Sequence, residues 1–439
     1  MNRSLHQVSL KTYLETPFLP LVLSFAEEST KAFGLGLIET DKVRLACEEI
    51  FLHLSRIAQT TGRPLEIEAS NHLYYAELRF LFDSLHFDPY AFNLTAHITP
   101  DETGMDDLGL LIAARSVDRL YMQHGQREGS GLVLVKEKEY AEGMDDAPHH
   151  EAPLDHFTVR TPDAELLKRF ARGIRHSYDV PFYPSDYRYP AKVADMVTSG
   201  DYHAVVAVGT GKQAGQIGGG VVWSAVGKGM IVFFGPYVFD KGLGDRIAVS
   251  LIDSFLNHIA KTEATFAITM YGTPQLPRDY FELLGTIDYQ PSQGHTGSRP
   301  FYYRQLKEDT GCQVWAHREL EPFLRTEYSR LFLPREILTV TWEGEQRQPH
   351  SVFTARFDRS RKTVRLRPVL DGEDAASNLA DHVRLLMGEG FGDIFLEMDL
   401  GRSWQGLLAP ALLQNRFVPV LLLPNAGRGD VVVFQHKQP

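Results

Sequence analysis

Two hydrophobic periods alternate along the chain, one near 3.6 residues and one of two, and their succession predicts a mixed α/β protein. Near the start, PLVLSFAEESTKAFGL and ETDKVRLACEEIFLHLSRIAQTT read as helices. In the second, Val43, Ala46, Cys47, Ile50, Leu54 and Ile57 share one face. LEIEASNHL and YYAELRFLFD read as strands, LGLLIAARSVDRLYMQH as a helix and SGLVLVKEKEY as a strand. This order predicts an α/β sandwich.

The middle of the chain begins with strand FTVRT and helix DAELLKRFARGIRHSY, whose Asp163 stands where a helix start favours an acid. Strands HAVVAVGT, GGGVVWSAV and GMIVFFGPYVF follow, then a Gly-rich turn opening the long amphipathic helix in DKGLGDRIAVSLIDSFLNHIAK. Strand ATFAITMYG, helix RDYFELLG and the paired strands TIDYQP and RPFYYRQL complete it. The last third repeats this outline. Helix LEPFLRTEYSRLF leads to strands ILTVTWEG, SVFTARFD and TVRLRPVL, then helix LADHVRLLMGEG, strand DIFLEMDL, helix WQGLLAPALLQNRF and strands VPVLLLP and VVVFQHK. TFAITMYG…RDYFELLGTIDYQP and IFLEMDLG…LLAPALLQNRFVPVLLLP match in order, which points to a degenerate duplication.

Breaks in these patterns set the boundaries. AEGMDDAPHHEAPLD, residues 141–155, is acidic, holds two prolines and has no apolar period, so it reads as a linker. A weaker break falls at KEDTG, residues 307–311. The expected domains are therefore 1–140, 156–307 and 308–439, consistent with 439 residues at roughly 100 to 200 per domain. The net charge of −11, with no basic stripe, argues against a nucleic-acid partner. Two cysteines, Cys47 and Cys312, make no disulfide framework, and the first apolar run is short and broken by prolines. The expectation is a cytoplasmic protein without a membrane span. No metal-ligand spacing and no G-x-S-x-G elbow occurs, so no metal site is expected.

The segment with most chemical content is GPYVFDKGLGDRI, residues 235–247. A strand enters a turn with Gly242 and Gly244, and a helix begins at once. Glycine there lets backbone approach a ligand closely, and the helix start offers N–H groups to a pyrophosphate. The order strand, helix, three strands, Gly turn, helix, strand, helix, strand pair over 156–306 resembles the GNAT-type N-acetyltransferases. In that family the fourth and fifth strands splay, acetyl-CoA lies in the gap, and a Q/R-x-x-G-x-G/A turn holds its pyrophosphate. The turn here reads Asp240-Lys241-Gly242-Leu243-Gly244, with Asp245 and Arg246 next; Asp240 stands where the family prefers Gln or Arg, and Lys241 or Arg246 compensates.

The resemblance implies that Gly235, Tyr237, Val238, Phe239, Lys241, Gly242, Leu243, Gly244, Asp245 and Arg246 bind acetyl-CoA or another acyl-CoA. It further implies an amine acceptor, small molecule or protein, and a tyrosine acid with a glutamate base; Tyr280 and Glu282 in FELLGT's neighbourhood are the nearest candidates, with Tyr237 and Tyr271 as further tyrosines. YDVPFYPSDYRYP, residues 178–190, falls where the family covers its acceptor. The last third lacks the turn: DGEDAASN puts three acids before its helix, which would repel a pyrophosphate, so this lobe contributes packing or a wall of the acceptor cleft.

Roughly residues 20–140 resemble another family. ACEEIFLHLSRIA, FLFDSLHFDP and DDLGLLIAARSVDRL stand in the order of the nucleotide boxes of the histidine-kinase-like ATPase fold of anti-sigma-factor serine kinases. Glu49 is in place, but His53 holds the position of the Mg²⁺-binding Asn. Phe82 holds that of the adenine-binding Asp, with Asp83 one residue off, and Asp107 replaces a glycine before Leu108-Gly109-Leu110. A phenylalanine cannot accept from the adenine amino group. The degenerate nucleotide site would comprise Glu49, His53, Asp83 and Gly109, with no ATP or Mg²⁺ expected, and the domain becomes a protein-interaction or dimerisation module. The composite reading is an acyl-CoA-dependent N-acyltransferase with a regulatory ATPase-like domain. A non-catalytic regulator of a bacterial partner-switching system is the rival.

Overall fold

The computed structural model describes residues 6–58, 62–83, 89–95, 102–124, 129–143, 153–227, 229–289, 297–342, 344 and 346–438. The chain divides into two compact units, Met1–Tyr140 with His350–Thr354, and Ala141–Pro349 with Ala355–Pro439. Of the acidic linker, residues 144–152 lie outside the described residues.

In the first unit, β1 (His6–Tyr13), β2 (Pro64–Asn71), β3 (Tyr75–Asp83), β4 (Arg119–His124) and β5 (Gly129–Glu137) form one sheet in the order β1-β2-β3-β5-β4. Helices α1 (Leu19–Ala32), α2 (Leu37–Ile57) and α3 (Glu102–Ser116) accompany it. The apolar face expected on α2 is buried through Val43, Ala46, Cys47, Ile50 and Leu54. Two elements depart from the sequence reading. RLYMQH is strand β4, not the end of a helix: the Asp118 carboxylate accepts from Glu137 N at 2.7 Å and Lys136 Nζ at 3.1 Å, turning the chain back along β5. β1 was not expected, because most of its side chains are exposed and no apolar period marks it.

The second unit holds two sheets built to one plan. The first joins β6 (Phe157–Arg160), β7 (His203–Gly209), β8 (Ile217–Val226), β9 (Met230–Val238), β10 (Phe266–Tyr271), β11 (Glu282–Tyr289) and β12 (Gly297–Gln305) in the order β11-β12-β10-β9-β8-β7-β6. Helices α4 (Ala164–Ser177), α5 (Pro190–Thr198) and α6 (Gly244–Ile259) pack on it. Asp163 caps α4 by accepting from Leu166 N at 2.8 Å. α6 buries Ile247, Leu251, Ile252 and Phe255 in a cluster with Val205, Ala207, Val221, Ile231 and Phe233. The glycines of β8 have a packing reason. A Cβ on Gly220 would meet the Phe170 ring at 2.6 Å, and one on Gly219 would meet Tyr237 O at 2.3 Å.

RDYFELLG is not a helix. Arg278–Tyr280 is a single 3₁₀ turn, and Glu282 opens β11. The register of β11 on β12 shifts between Leu283 and Gly285, so buried Phe281, Leu284 and Ile287 fall three residues apart, a spacing that mimics a helix.

The last third adds β13 (Cys312–Ala316), α7 (Glu321–Arg330) and β14 (Arg335–Thr339), the two strands paired in parallel. Then β15 (Val352–Asp358), β16 (Thr363–Leu370), α8 (Ala375–Gly388), β17 (Asp393–Asp399), α9 (Ser403–Gly406), α10 (Ala409–Gln414), β18 (Phe417–Leu423) and β19 (Val431–His436) follow. The helix expected from WQGLLAPALLQNRF is two short ones, with a proline at the start of the second. The sheet order β18-β19-β17-β16-β15 repeats β11-β12-β10-β9-β8, with the central pair parallel in both sheets. The sheets meet where β11 lies against β18, and Gln435 Nε2 donates to Asp288 O at 2.6 Å.

A buried pin fixes the second lobe. Arg335, with its side chain fully buried, forms ion pairs with Asp430 at 2.8 Å and Asp309 at 2.6 Å. Arg335→Ala strands two buried carboxylates and should cost about 3–5 kcal/mol. The midpoint of chemical unfolding of the second unit should fall accordingly; an unchanged midpoint would contradict the assignment.

Candidate functional site

The site follows from one interruption of a ladder. β9 and β10 pair in parallel from Met230–Phe266 to Phe234–Tyr271, and the pairing stops there. Across its other edge, β9 places Phe234 opposite Val222 but Tyr237 opposite Gly220, so β9 carries one extra residue. Gly235 takes φ +97° at this bulge, a conformation open to glycine. β10 itself ends at Tyr271, and this parting of the ladder leaves residues 235–238 of β9 paired on one side only. The turn after Val238 then delivers the chain to the first residue of α6, Gly244.

Side chains of the same unit cover much of the exposed strand edge. Val238 N donates to the Tyr178 hydroxyl at 2.7 Å, and that hydroxyl lies 3.1 Å from Val238 O and 3.2 Å from Gln275 Oε1. Thr273 Oγ1 donates to Pro236 O at 2.5 Å, and Phe239 N donates to Gly218 O at 2.8 Å. Burial raises the Tyr178 phenol to about 12, against the lowering effect of its hydrogen bond to Val238. Tyr237 is fully buried, and its hydroxyl donates to Phe182 O at 2.9 Å. Tyr178, Tyr187 and Tyr237 interlock at 5.2 and 6.1 Å, so much of the aromatic segment 178–190 forms a packed core.

The glycine turn has a resident carboxylate. Counted back from Gly242, the position that the GNAT pattern gives to Gln or Arg is Phe239; Asp240 is one residue later. Phe239 packs 5.8 Å from Phe170. Asp240 is buried and accepts from Leu243 N at 2.6 Å, Leu154 N at 2.6 Å and Gly242 N at 2.9 Å. It caps the turn and ties down the chain entering β6. Gly242 is needed by this packing, since a Cβ there would meet Pro153 at 3.0 Å. Gly244 is not: its nearest neighbour would be Val238 Cγ1 at 3.6 Å. The N–H groups of Gly244, Asp245 and Arg246 open the helix and have no acceptor within it. Lys241 and Arg246 are exposed beside them, and a cleft of 350 Å³ lined by His156, Leu243, Arg246 and Ser250 adjoins the turn. The helix start therefore suits a phosphate, while the strand edge is closed by Tyr178.

Tyr280 and Glu282 stand elsewhere. The Tyr280 hydroxyl faces Asp253, which raises the phenol by hydrogen bonding. Asp253 lies nine residues along α6 from Gly244, about 13 Å down the helix. Glu282 is exposed, and its Oε2 accepts from the Tyr303 hydroxyl at 3.2 Å.

The end of β10 gathers arginines that the residue pattern alone does not mark. Arg299 lies over the rings of Tyr289 at 4.7 Å and Tyr271 at 5.4 Å, and Arg361 lies over Tyr271 at 5.1 Å. Arg361, in the turn between β15 and β16, also donates to the carbonyls of Val180 and Tyr183 and pairs with Asp358. Arg365 pairs with Glu397 at 2.9 Å, as does Arg367 at 2.6 Å. The available signal was Arg365 and Arg367 two apart in the otherwise apolar TVRLRPVL, which places both on one strand face.

In the first unit, Glu49 and Gly109 adjoin: a Cβ on Gly109 would sit 2.5 Å from Glu49 Oε2. His53 is buried one turn along α2. Asp83 ends β3, and residues 84–88 of the expected adenine box lie outside the described residues. Among the described residues no His, Cys, Asp or Glu cluster could hold a metal, and no helix is long and apolar enough to cross a membrane.

No protein-family model matches the chain, and no curated protein does. Among solved structures, it is similar to an aminoglycoside 6'-acetyltransferase type Ii, at 11% identity over 34% of this chain and 98% of that one, with a TM-score of 0.26. It is also similar to a tandem GNAT protein from the clavulanic acid biosynthesis pathway, at 11% identity over 69% of this chain and 99% of that one, with a TM-score of 0.21. Both neighbours are acetyltransferases or GNAT proteins.

The Glu397 pairs give a pH signature. Burial opposes its ionisation, but the charges of Arg367 and Arg365 outweigh this and bring it to about 2, from 4.5. A depressed carboxylate stabilises the fold above its unfolded value, and that stabilisation fades as pH falls from about 4.5 toward about 2. Glu397→Gln should therefore lower the melting temperature most near neutral pH, with the gap closing in acid. A gap independent of pH would contradict the pairing.

Proposed function

We propose that the second unit is a GNAT-type N-acyltransferase that moves an acyl group from acyl-CoA to an amine. The observation carrying this reading is the parting of parallel strands β9 and β10 beside a glycine turn that opens α6. Gly244, unneeded by its own surroundings, leaves room for a phosphate against the N–H groups of Gly244, Asp245 and Arg246. Lys241 and Arg246 supply positive charge. Val238 N–H is the backbone donor at the parting, aimed where a thioester carbonyl would develop charge. Tyr178 holds that donor in the ground state, so its hydroxyl has to move aside for the donor to bind. The parting then holds amine and thioester together, which supplies much of the rate through orientation.

A second reading has its own support. Asp240 already occupies the N–H groups of Gly242 and Leu243, and Tyr178 that of Val238, as in a fold kept for regulation. The first unit, with His53 at the metal-ligand position and Gly109 against Glu49, fits an accessory module that docks a protein partner without binding ATP.

Tyr178→Phe separates the two readings. Thiol release from acetyl-CoA is followed with a panel of amines, for wild type and variant. Amine-dependent release is expected, with the variant showing a KM for acetyl-CoA several-fold lower because Val238 is uncovered. If neither protein releases thiol with any amine, while both remain folded, the acyltransferase reading fails and the regulatory one stands.

A further inference from the structure

We propose that the end of β10 carries an oxyanion-recognition site, formed by Arg299 with Arg361 and Arg365 behind it, that takes a carboxylate or phosphate of the acceptor. Calling the ligand an acceptor rests on the acyltransferase reading above; the recognition of an anion does not.

Three observations converge. First, two guanidiniums lie over one ring, Tyr271, the last residue of β10 before the strands part. Arg365 lies next to them, over the Phe395 ring at 5.4 Å, and with Arg299 it opposes the burial-driven rise of the Tyr289 phenol. Second, the charges do not balance. Arg361 has Asp358, and Arg365 shares Glu397 with Arg367, but among the described residues Arg299 has no carboxylate partner. Exposed Arg356, which acts on neighbouring Tyr202, has none either. Buried Asp393 acts on Tyr289, and Asp186, held by Lys192 at 2.7 Å, acts on Tyr202, so five arginines and that lysine face four carboxylates. Third, Arg361 Nε is buried without a hydrogen-bond partner, a donor whose burial costs free energy unless a ligand satisfies it.

Stacking on tyrosine faces orients guanidinium planes and leaves their edges to donate, the arrangement suited to bidentate oxyanion recognition. The location fits an acceptor group. It adjoins the parting through Tyr271, and the segment after α4 is joined to it by the bonds from Arg361 to Val180 and Tyr183. Arg361 and Arg365 come from the second lobe, so the duplicated half supplies recognition where it lacks a glycine turn of its own.

The test is calorimetric titration of the full chain with glutamate, with inorganic phosphate and with choline as a cationic control, in the absence of acyl-CoA. One of the two anions is expected to bind wild type, and which one binds identifies the oxyanion. Arg299→Gln should weaken it by about tenfold or more. Arg299→Lys keeps the charge but not the fork; it should recover only part of the affinity, and it carries the test if the glutamine variant fails to fold. Binding of neither anion at millimolar concentration, or equal binding by all three proteins, overturns the site. Anion binding dependent on Arg299 with no acyl-CoA binding leaves the site standing and rejects the transferase reading; acyl-CoA binding without anion binding does the reverse.

Discussion

The parallel ladder between β9 and β10 ends at Phe234 and Tyr271, and the candidate chemistry of this chain depends on that end. β10 ends there while β9 runs on to Val238 through an extra residue at Gly235, leaving a strand edge without a neighbouring strand inside a packed unit. Backbone groups at such an edge cannot stay unpaired without cost. The chain resolves this with Thr273 on Pro236 and Tyr178 on Val238, and with Asp240 in the following turn. The second lobe meets the same constraint in the same way. β16 and β17 pair only as far as Leu366 and Leu396, and two residues on Gln405 Nε2 reaches Pro368 O at 3.5 Å. The repeat thus extends from strand order to the handling of the parted strands.

The two lobes have taken different parts. The first keeps a glycine turn with an open helix start at Gly244. The second has acids in the equivalent stretch, with Asp371 held by Arg347, and presents arginines toward the first. Glu397 keeps two of those arginines ordered, and its pairs hold β16 against β17 close to where they part.

Much of this was legible in the sequence where one physical effect dominates. α4 and α6 followed from apolar periodicity, and β7 from a continuous apolar run whose residues are buried on both faces. The glycine turn was legible because two glycines close together, between an apolar run and a helical period, mark a tight turn. β1 was not, because an exposed edge strand carries no apolar period, and β11 read as a helix because a bulge spaces Phe281, Leu284 and Ile287 by three. The resident role of Asp240 and Tyr178 depends on pairings 60 and more residues apart, Leu154 with Asp240 and Tyr178 with Val238, which local pattern does not encode. Arg361 is a similar case, since its partners Val180 and Tyr183 lie about 180 positions away.

The central claim is that the turn before α6 holds the phosphates of an acyl donor, and titration of acetyl-CoA into wild type and Gly244→Glu tests it most directly. The substitution has space at the backbone, with Val238 Cγ1 3.6 Å from the new Cβ, so the fold should survive while a carboxylate enters the phosphate position. Saturable binding to wild type, lost in the variant, is the predicted result. No binding to wild type, or equal binding to both, would contradict the account.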